Sequence, residues 1–456
     1  MSVLKRFGVA ALVLTLAPSG VFGQAPTGSS AGLEETLTLE QAVRLALEYH
    51  PSVGVARAQR ESSTGAVRQA QGSRFPLVST DASLSRYQEP SLVAPLHGFD
   101  PTMAPSFDRN LVRGNLLASY SIYDGGARAG RIGQAQSGEA MAMAGVAASQ
   151  IALTAQVSAA YLDILSSADL LAAAGAQRGA LEAERDRVRQ FLDEGKAARV
   201  DLLRVQAALS QSEAVEISLS SRMDLAQGRL SRLTGLSSAG LRSRNLAPLR
   251  LRSGAVEALP EATAKARRTN PELEVARQRL AVAAAGVQVA DANWRPTVQA
   301  AGAYSDFGAL DGDHTLEWQG SLRVSLPLFT GGALKGERER ASAQEREAFE
   351  EVRLAELAVE DGVEEALAAV SESRALRSAL ERGVEQAEEV ARIEALALEV
   401  GSGVQTDFLR AQAELFQARA SLAQARHGEV MATIQLARVT GELSLDWLQE
   451  NMEMIR

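Results

Sequence analysis

One strand-to-helix corner occurs twice in this chain, as SIYDGGARAG at 121–130 and PLFTGGALKG at 327–336. Each time a stretch of alternating residues meets an aromatic, a Gly–Gly pair and then a long run rich in Ala and Glu or Arg. The surroundings repeat as well. LEQAVRLALEYHPSVGVARAQ (39–59) matches LPEATAKARRTNPELEVARQR (259–279) at an offset of 220, which still holds at Pro76 and Pro296. At the Gly pairs the offset has become 206, and it stays there through EGKAARVDLLRVQAAL (194–209) and VGSGVQTDFLRAQAEL (400–415). The chain is a duplication whose first copy holds 14 extra residues between the Pro and the Gly pair. Two copies are too few for a solenoid.

Each copy reads as helix, helix, strand, loop, strand, very long helix, tight turn, long helix. Thr38 with Gln41 suits a capping box opening the first helix. Pro51 and Pro271 suit the first position of the second helix, with Asn270 as N-cap in the second copy. The expected boundaries are a leader at 1–23, a first repeat at 24–236, a linker at 237–258, a second repeat at 259–443 and a tail at 444–456. Within the repeats, β-hairpins are expected at 76–123 and 296–329, and helical hairpins at 127–235 and 333–441.

The strands alternate with period two. Leu116, Tyr120 and Ile122 share one face in the first copy, and Leu322, Val324 and Leu326 share it in the second. Ser321, Arg323 and Ser325 fall on the other. This pattern fits a sheet with one face on a core, and equally an outer-membrane strand with a lipid side and a wet lumen. The helices favour the second reading. The Pro-free run from Ala127 to Phe191 would extend about 100 Å as a helix, far more than an ordinary core needs. Val352, Ala355, Val359, Val363, Ala366 and Val370 step by three and four, a coiled-coil seam. The corners at Gly125, Gly126, Gly331 and Gly332, with Pro327 just ahead of the second pair, would hand a twisted sheet directly to a helical bundle. Four strands cannot close a barrel, and lipid tolerates no open edge, so the chain is expected to oligomerise. Two chains supply 8 strands with a filled interior; three supply 12 and leave a duct.

The N-terminus reads as a cleavable leader: basic MSVLKR, apolar FGVAALVLTLA, then a small-residue site with the cut expected after Gly23. With no Cys anywhere, disulfides and thiolate metal sites are excluded. The net charge of −9 makes a nucleic-acid partner improbable. After the leader no apolar run of transmembrane-helix length is read, so a membrane role is expected to come through strands. His50, His97, His314 and His427 are scattered, and no HExxH, GxxxxGK[ST] or GxSxG motif occurs. No enzyme activity, cofactor or metal site is expected. Phe75, Tyr123, Trp294 and Phe329 cluster at strand ends, as an interfacial belt or core packing would place them.

Taken in order, the leader, the duplication, FP and RP before the hairpins, PLFTGG and VGSGVQTDFLRAQAEL resemble the TolC-type outer-membrane efflux proteins over 37–443. The resemblance implies an α+β membrane protein: a homotrimer sharing one 12-stranded β-barrel, four strands per chain, above a long α-helical coiled-coil barrel crossing the periplasm. It makes the linker at 237–258 an equatorial one, set beside the C-terminal tail. It implies an exit duct of a tripartite efflux or type I secretion system, in the outer membrane, partnered by a periplasmic adaptor and an inner-membrane transporter. By position, Glu194, Gly195, Val400 and Gly401 become adaptor-docking tips, and Asp407 a carboxylate ring at the closed aperture. Asp201 and Asp407 also read as plain helix N-caps. Leu398, Gly403 and Arg410 stand where drug-exporting members usually carry an aromatic, an Arg and a second acid; the repeated pairs Asp201/Arg204 and Asp407/Arg410 offer ion pairs as an alternative latch. The competing readings are a periplasmic adaptor, which would have one helical hairpin flanked by β-domains, and a structural coiled coil, which leaves the strands unexplained.

Overall fold

The computed structural model describes residues 36–96, 102, 104–252, 258–312 and 314–454. The leader, the expected mature N-terminus at Gln24 and His97 lie outside the described residues. The first copy runs β1 (Thr36–Leu37), α1 (Leu39–Tyr49), α2 (Pro51–Gly72), β2 (Leu77–Leu92), β3 (Phe107–Tyr123), α3 (Ala127–Asp193) and α4 (Arg199–Thr234). Between the copies stand α5 (Ser238–Arg242), β4 (Asn245–Leu246) and β5 (Leu249–Leu251). The second copy runs α6 (Leu259–Thr269), α7 (Pro271–Ala292), β6 (Thr297–Ala309), β7 (His314–Ser325), α8 (Ala333–Glu399) and α9 (Gln405–Thr440). The chain closes with α10 (Leu445–Asn451) and β8 (Met452–Met454). The helix starts follow their sequence signals. Thr38 and Gln41 make the reciprocal capping box, His50 caps α2 ahead of Pro51, and the Asn270 side chain accepts from the Glu272 and Leu273 amides.

The two hairpins join in one antiparallel sheet of order β2-β3-β6-β7. Cross-strand partners share a face, so the register sorts the side chains. One face carries Leu84, Val112, Leu116, Tyr304, Leu316, Trp318, Leu322 and Val324, with Arg86, Asp306 and His314 toward its end away from the helices. Of these, Leu84, Leu116, Tyr304, Leu316, Trp318, Leu322 and Val324 are exposed. The other face carries Ser79, Asp81, Ser83, Arg113, Asn115, Gln299, Ser305, Glu317, Gln319 and Arg323. Leu116, Tyr120, Leu322 and Val324 fall on the apolar face, as the alternation suggests. Ile122 does not continue that register: Ser121 pairs with Gln299 and Tyr123 with Val298, leaving Ile122 as the extra residue of a bulge. Leu326 lies just beyond the end of β7. Both departures sit at the rim, where the strands turn toward the helices. Phe75, Tyr123, Trp294 and Phe329 are exposed there, which removes core packing as their explanation within the chain.

At the corners all four glycines are left-handed, with φ of 69° and 99° at Gly125 and Gly126, and 61° and 88° at Gly331 and Gly332. That conformation resists a Cβ. Gly125 has a second reason: a Cβ there would lie 2.5 Å from the Ala292 carbonyl oxygen, and Arg295 donates to the Gly125 carbonyl at 2.9 Å. The Asp124 carboxylate accepts from the Gly126 and Arg128 amides, starting α3. Pro327 lies between the end of β7 and the second corner. The helices that follow, α3 and α8, are 67 residues each, about 100 Å long. Val359, Val363, Ala366 and Val370 are buried along the expected seam of α8, and Val352, Ala355, Val359 and Val363 pack with Ala262, Ala266 and Leu273 of α6 and α7. One 18-residue window of α3 has a mean hydropathy of 1.3 with few charges. This corrects the reading that no span-length apolar run follows the leader. Its Ala, Met and Leu content raises hydropathy, yet only 22% of the window is buried within the chain.

The main core sits around the middle of α3, where α1, the ends of α4 and α9, α5 and the C-terminal segment converge. Two short strand pairs cover it: β1 runs parallel to β4, and β5 antiparallel to β8. Tyr161 is fully buried beneath the first pair, its hydroxyl 2.8 Å from both the Leu37 and Ala247 carbonyl oxygens. One hydroxyl proton serves these two acceptors, so the hydrogen bond is shared between β1 and the residue that follows β4. Burial pushes the Tyr161 pKa far up; the phenol stays a donor throughout the physiological range. Tyr161→Phe leaves two buried carbonyls short of that donor. A loss of about 1–2 kcal/mol is expected, read as a lower apparent melting temperature of the detergent-solubilised protein; an unchanged melting temperature would show that the clamp contributes nothing.

Candidate functional site at the helical tips

Each helical hairpin reverses on a left-handed glycine, Gly195 (φ 73°) and Gly401 (φ 77°). In the first turn the Lys196 and Ala197 amides donate back to the Phe191 carbonyl at 2.7 and 3.2 Å. In the second the Ser402 and Gly403 amides donate to the Ala397 carbonyl at 2.9 and 2.8 Å. The same closure is thus built twice from different side chains. Glu194 is exposed and bonded to Lys196 at 2.7 Å; that hydrogen bond, together with the Lys196 charge, lowers the Glu194 pKa. Val400 is exposed, as are Val200, Leu203 and Val404. Leu398 is half-buried. At Gly403 a Cβ would lie 2.8 Å from the Leu398 nitrogen and 2.9 Å from the Ala397 carbonyl carbon, so a side chain there requires the turn to shift.

Asp201 and Asp407 are not N-caps. The caps of α4 and α9 are Ala198 and Val404, which have no side-chain acceptor, and each Asp sits three residues further on, in the first turn. Asp201 accepts from the Ala198 amide at 3.4 Å and from Arg204 Nη1 at 3.3 Å. A carboxylate in a first turn also meets the positive end of the helix dipole. Asp407 and Arg410 are both exposed, and no ion pair between them occurs among the described residues. The repeated Asp/Arg motif is therefore closed in the first hairpin and open in the second.

The polar contact that does join the two hairpins near the tips has no counterpart among the sequence expectations. Glu184, buried on α3, accepts two hydrogen bonds from Arg187 at 2.8 and 2.7 Å and a third from Gln405 Nε2 at 3.1 Å, at the start of α9. The Glu184 hydrogen bond raises the Arg187 pKa, with burial opposing it, and the guanidinium lies 5.2 Å from the Phe191 ring centroid. A buried carboxylate with three donors has few lone pairs left to satisfy. The repeat itself holds the signal: the positions equivalent to Glu184 and Arg187 are the apolar Val390 and Ile393. Higher up, His427 Nε2 is 2.8 Å from an Asp169 carboxylate oxygen, tying α9 to α3. Glu429 is buried and meets Arg374 at 3.2 Å and Arg377 at 2.7 Å, tying α9 to α8. His314 bonds Asp306 on the sheet. The described histidines therefore serve separate local contacts.

Comparison with known proteins agrees with this architecture. The family model described as outer membrane efflux protein matches residues 42–236 and 262–442, one block per copy. The outer membrane efflux protein BepC of Brucella suis is 22% identical over 411 residues, covering 85% of this chain and 87% of that protein. Outer membrane protein TolC of Vibrio cholerae is 25% identical over 309 residues, covering 65% of this chain and 69% of that protein. The crystal structure of the outer membrane protein VceC of Vibrio cholerae superposes with a TM-score of 0.77 at 20% identity, covering 88% of this chain and 96% of that one.

Glu184→Ala removes the acceptor that holds Gln405 to α3. Amide exchange over residues 405–410 is expected to quicken about tenfold, the equivalent of about 1.4 kcal/mol of lost local stability, with residues 199–204 unaffected. Equal acceleration of both first turns, or of neither, would show that Glu184 does not couple the hairpins.

Proposed function

The chain belongs to the outer membrane efflux protein family, and on that premise we propose that it is the exit duct of a tripartite efflux or type I secretion system. It works as a homotrimer in the outer membrane, reaches into the periplasm, and joins an adaptor there and a transporter in the inner membrane. It is a passive channel and not an enzyme. The observation that carries this reading is the continuity of two parts. A four-stranded sheet with one apolar and one polar face, its outer strands β2 and β7 each paired on one side only, passes through glycine corners into 67-residue helices. Three such sheets close 12 strands around water. An adaptor would need only one helical hairpin, and a coiled-coil scaffold would need no amphipathic sheet.

Within that reading the tips take the regulated role. Glu194, Gly195, Val400 and Gly401 offer an exposed surface that mixes charge with apolar area, suited to helical-hairpin contact with the adaptor. Asp407, exposed and unpaired with Arg410, is free to line the aperture in three copies. Like charges so placed attract cations. The aromatic and Arg latch of drug-exporting relatives does not fit here, since Leu398 is aliphatic and Gly403 has no room for a Cβ. Glu184, Arg187 and Gln405 supply the link between hairpins instead.

Purified trimers reconstituted in planar bilayers are expected to conduct, and hexamminecobalt added on the tip side to block them. Asp407→Ala should raise the half-blocking concentration about tenfold, the loss of about 1.4 kcal/mol of binding. Trimers that insert but never conduct would contradict the duct. Conducting trimers with unchanged block would leave Asp407 as a helix-terminus residue only.

A further inference from the structure

The polar face of the sheet is not uniformly polar. Its side chains fall in layers, each set by the register. Asp81, Asn115, Ser305 and Glu317 share one layer, with Asn115 Nδ2 donating to Asp81 at 2.9 Å. Two residues further along the strands, away from the helices, Ser83, Arg113, Phe307 and Thr315 share the next. That step is about 7 Å. One layer beyond, Leu111 and Ala309 are buried on the same face by Val93, the first residue after β2. The wet face is therefore narrowed by an apolar cluster at its outer end, and Arg113 is the first charged side chain of the strand layers inside that narrowing.

Arg113 differs from Arg323, the other arginine at a paired position of this face, which lies exposed and inward of both layers. The Arg113 guanidinium lies over the Phe307 ring, 6.0 Å from the centroid, which holds it by a cation–π contact without neutralising it. Its Nε is buried and has no hydrogen-bond partner. Among the described residues no carboxylate lies within ion-pair distance of it. Arg109, one layer group further out, is paired with Glu89 at 3.8 Å, and Asp81 is engaged by Asn115. An arginine backed by an aromatic ring, set above a carboxylate layer and without an ion pair among the described residues, leaves a positive charge on a serine-rich face. Threefold repetition would turn it into a ring of positive charge at the outer mouth.

We propose that Arg113 is a charge-discriminating residue of the exit, drawing anionic solutes into the barrel from outside and holding back cationic ones. This rests on the duct reading, because it takes the polar face as the lumen. The Asp81 and Glu317 layer just inside acts with opposite sign on a solute that has passed the Arg113 ring. Such fields are screened over about 8 Å at physiological salt and over about 30 Å at 0.01 M, so the discrimination strengthens as salt is lowered.

The absence of native cysteine makes the test direct. Ser321→Cys places one thiol on the polar face, inward of both layers. Its modification in intact cells is followed with two membrane-impermeant methanethiosulfonates, one bearing a sulfonate and one a trimethylammonium group. In low-salt, osmotically balanced buffer the sulfonate-to-ammonium rate ratio is expected to fall about threefold or more when Arg113→Gln is added, and further with Arg113→Glu. Arg113→Lys should keep it, and Asp81→Asn with Glu317→Gln should raise it. The changes should shrink at high salt, with trimer yield unchanged on gels. A reactive thiol in the Ser321→Cys protein whose ratio ignores all Arg113 variants overturns the proposal while leaving the duct intact. If that thiol reacts with neither reagent while the thiol of Leu322→Cys does, the polar face is not the lumen, and both readings fall together.

Discussion

Every peptide group of a strand in lipid needs a partner, and this chain leaves two edges of its sheet without one. β2 and β7 each pair on one side only, in the order β2-β3-β6-β7. In hydrocarbon those unpaired groups cost several kcal/mol each, far beyond what a protein of ordinary stability can bear. The only remedy that keeps both faces of the sheet usable is closure with further copies. Most other features follow from it: the apolar outer face, the twist handed over at the corners, and helices long enough to continue the barrel rather than fold back on it.

The duplication supplies the geometry of that closure. Inside the chain, β3 of one copy meets β6 of the other, and the corner at Gly125 packs against Ala292 and Arg295. One turn on, a Cβ at Gly130 would meet Val289 at 2.7 Å. The matching glycines of the second copy, Gly331 and Gly336, have nothing within 4 Å of a Cβ. Gly336 has no positive φ to explain it. It makes sense if β7 and α8 meet the β2 and α2 of a neighbouring copy as β3 and α3 meet β6 and α7. The internal seam and the seam between chains are then the same contact, and a trimer has six nearly equivalent joints.

Where the copies agree, the fold is legible in the sequence. Strand alternation, the glycine corners, the capping box at Thr38 and Gln41, Pro51 and Pro271, and the α8 seam are local signals, each set by one backbone period or one cap. Tertiary contact decides the parts that local signals miss. Asp201 and Asp407 read as caps because Asp is the best candidate in reach, yet the turns place Ala198 and Val404 there. Arg410 lies three residues after Asp407 just as Arg204 follows Asp201, and still does not pair. Tyr161 reaching β1 across 124 residues and Glu184 reaching Gln405 across 221 leave no periodic trace. Departures from the repeat are the better guide to such contacts: Glu184 and Arg187 against Val390 and Ile393, and Arg113 against Gln319. A duplicated scaffold keeps its frame by repeating and places its specific chemistry where it stops repeating.

The equivalence of the two seams is the central claim, and one crosslink tests it. Inside the chain a Cβ at Gly133 would lie 3.7 Å from the Ala285 Cβ, within disulfide range of about 3.5–4.5 Å. The repeat transposes that pair to Glu339 on one chain and Gly65 on the next. Gly65→Cys with Glu339→Cys, oxidised in outer-membrane preparations, should give disulfide-linked dimers and trimers on non-reducing gels. Gly133→Cys with Ala285→Cys should close within the chain and run at monomer mass. Monomers alone from the first pair, with the second pair fully oxidised, would contradict closure by repetition of the internal seam.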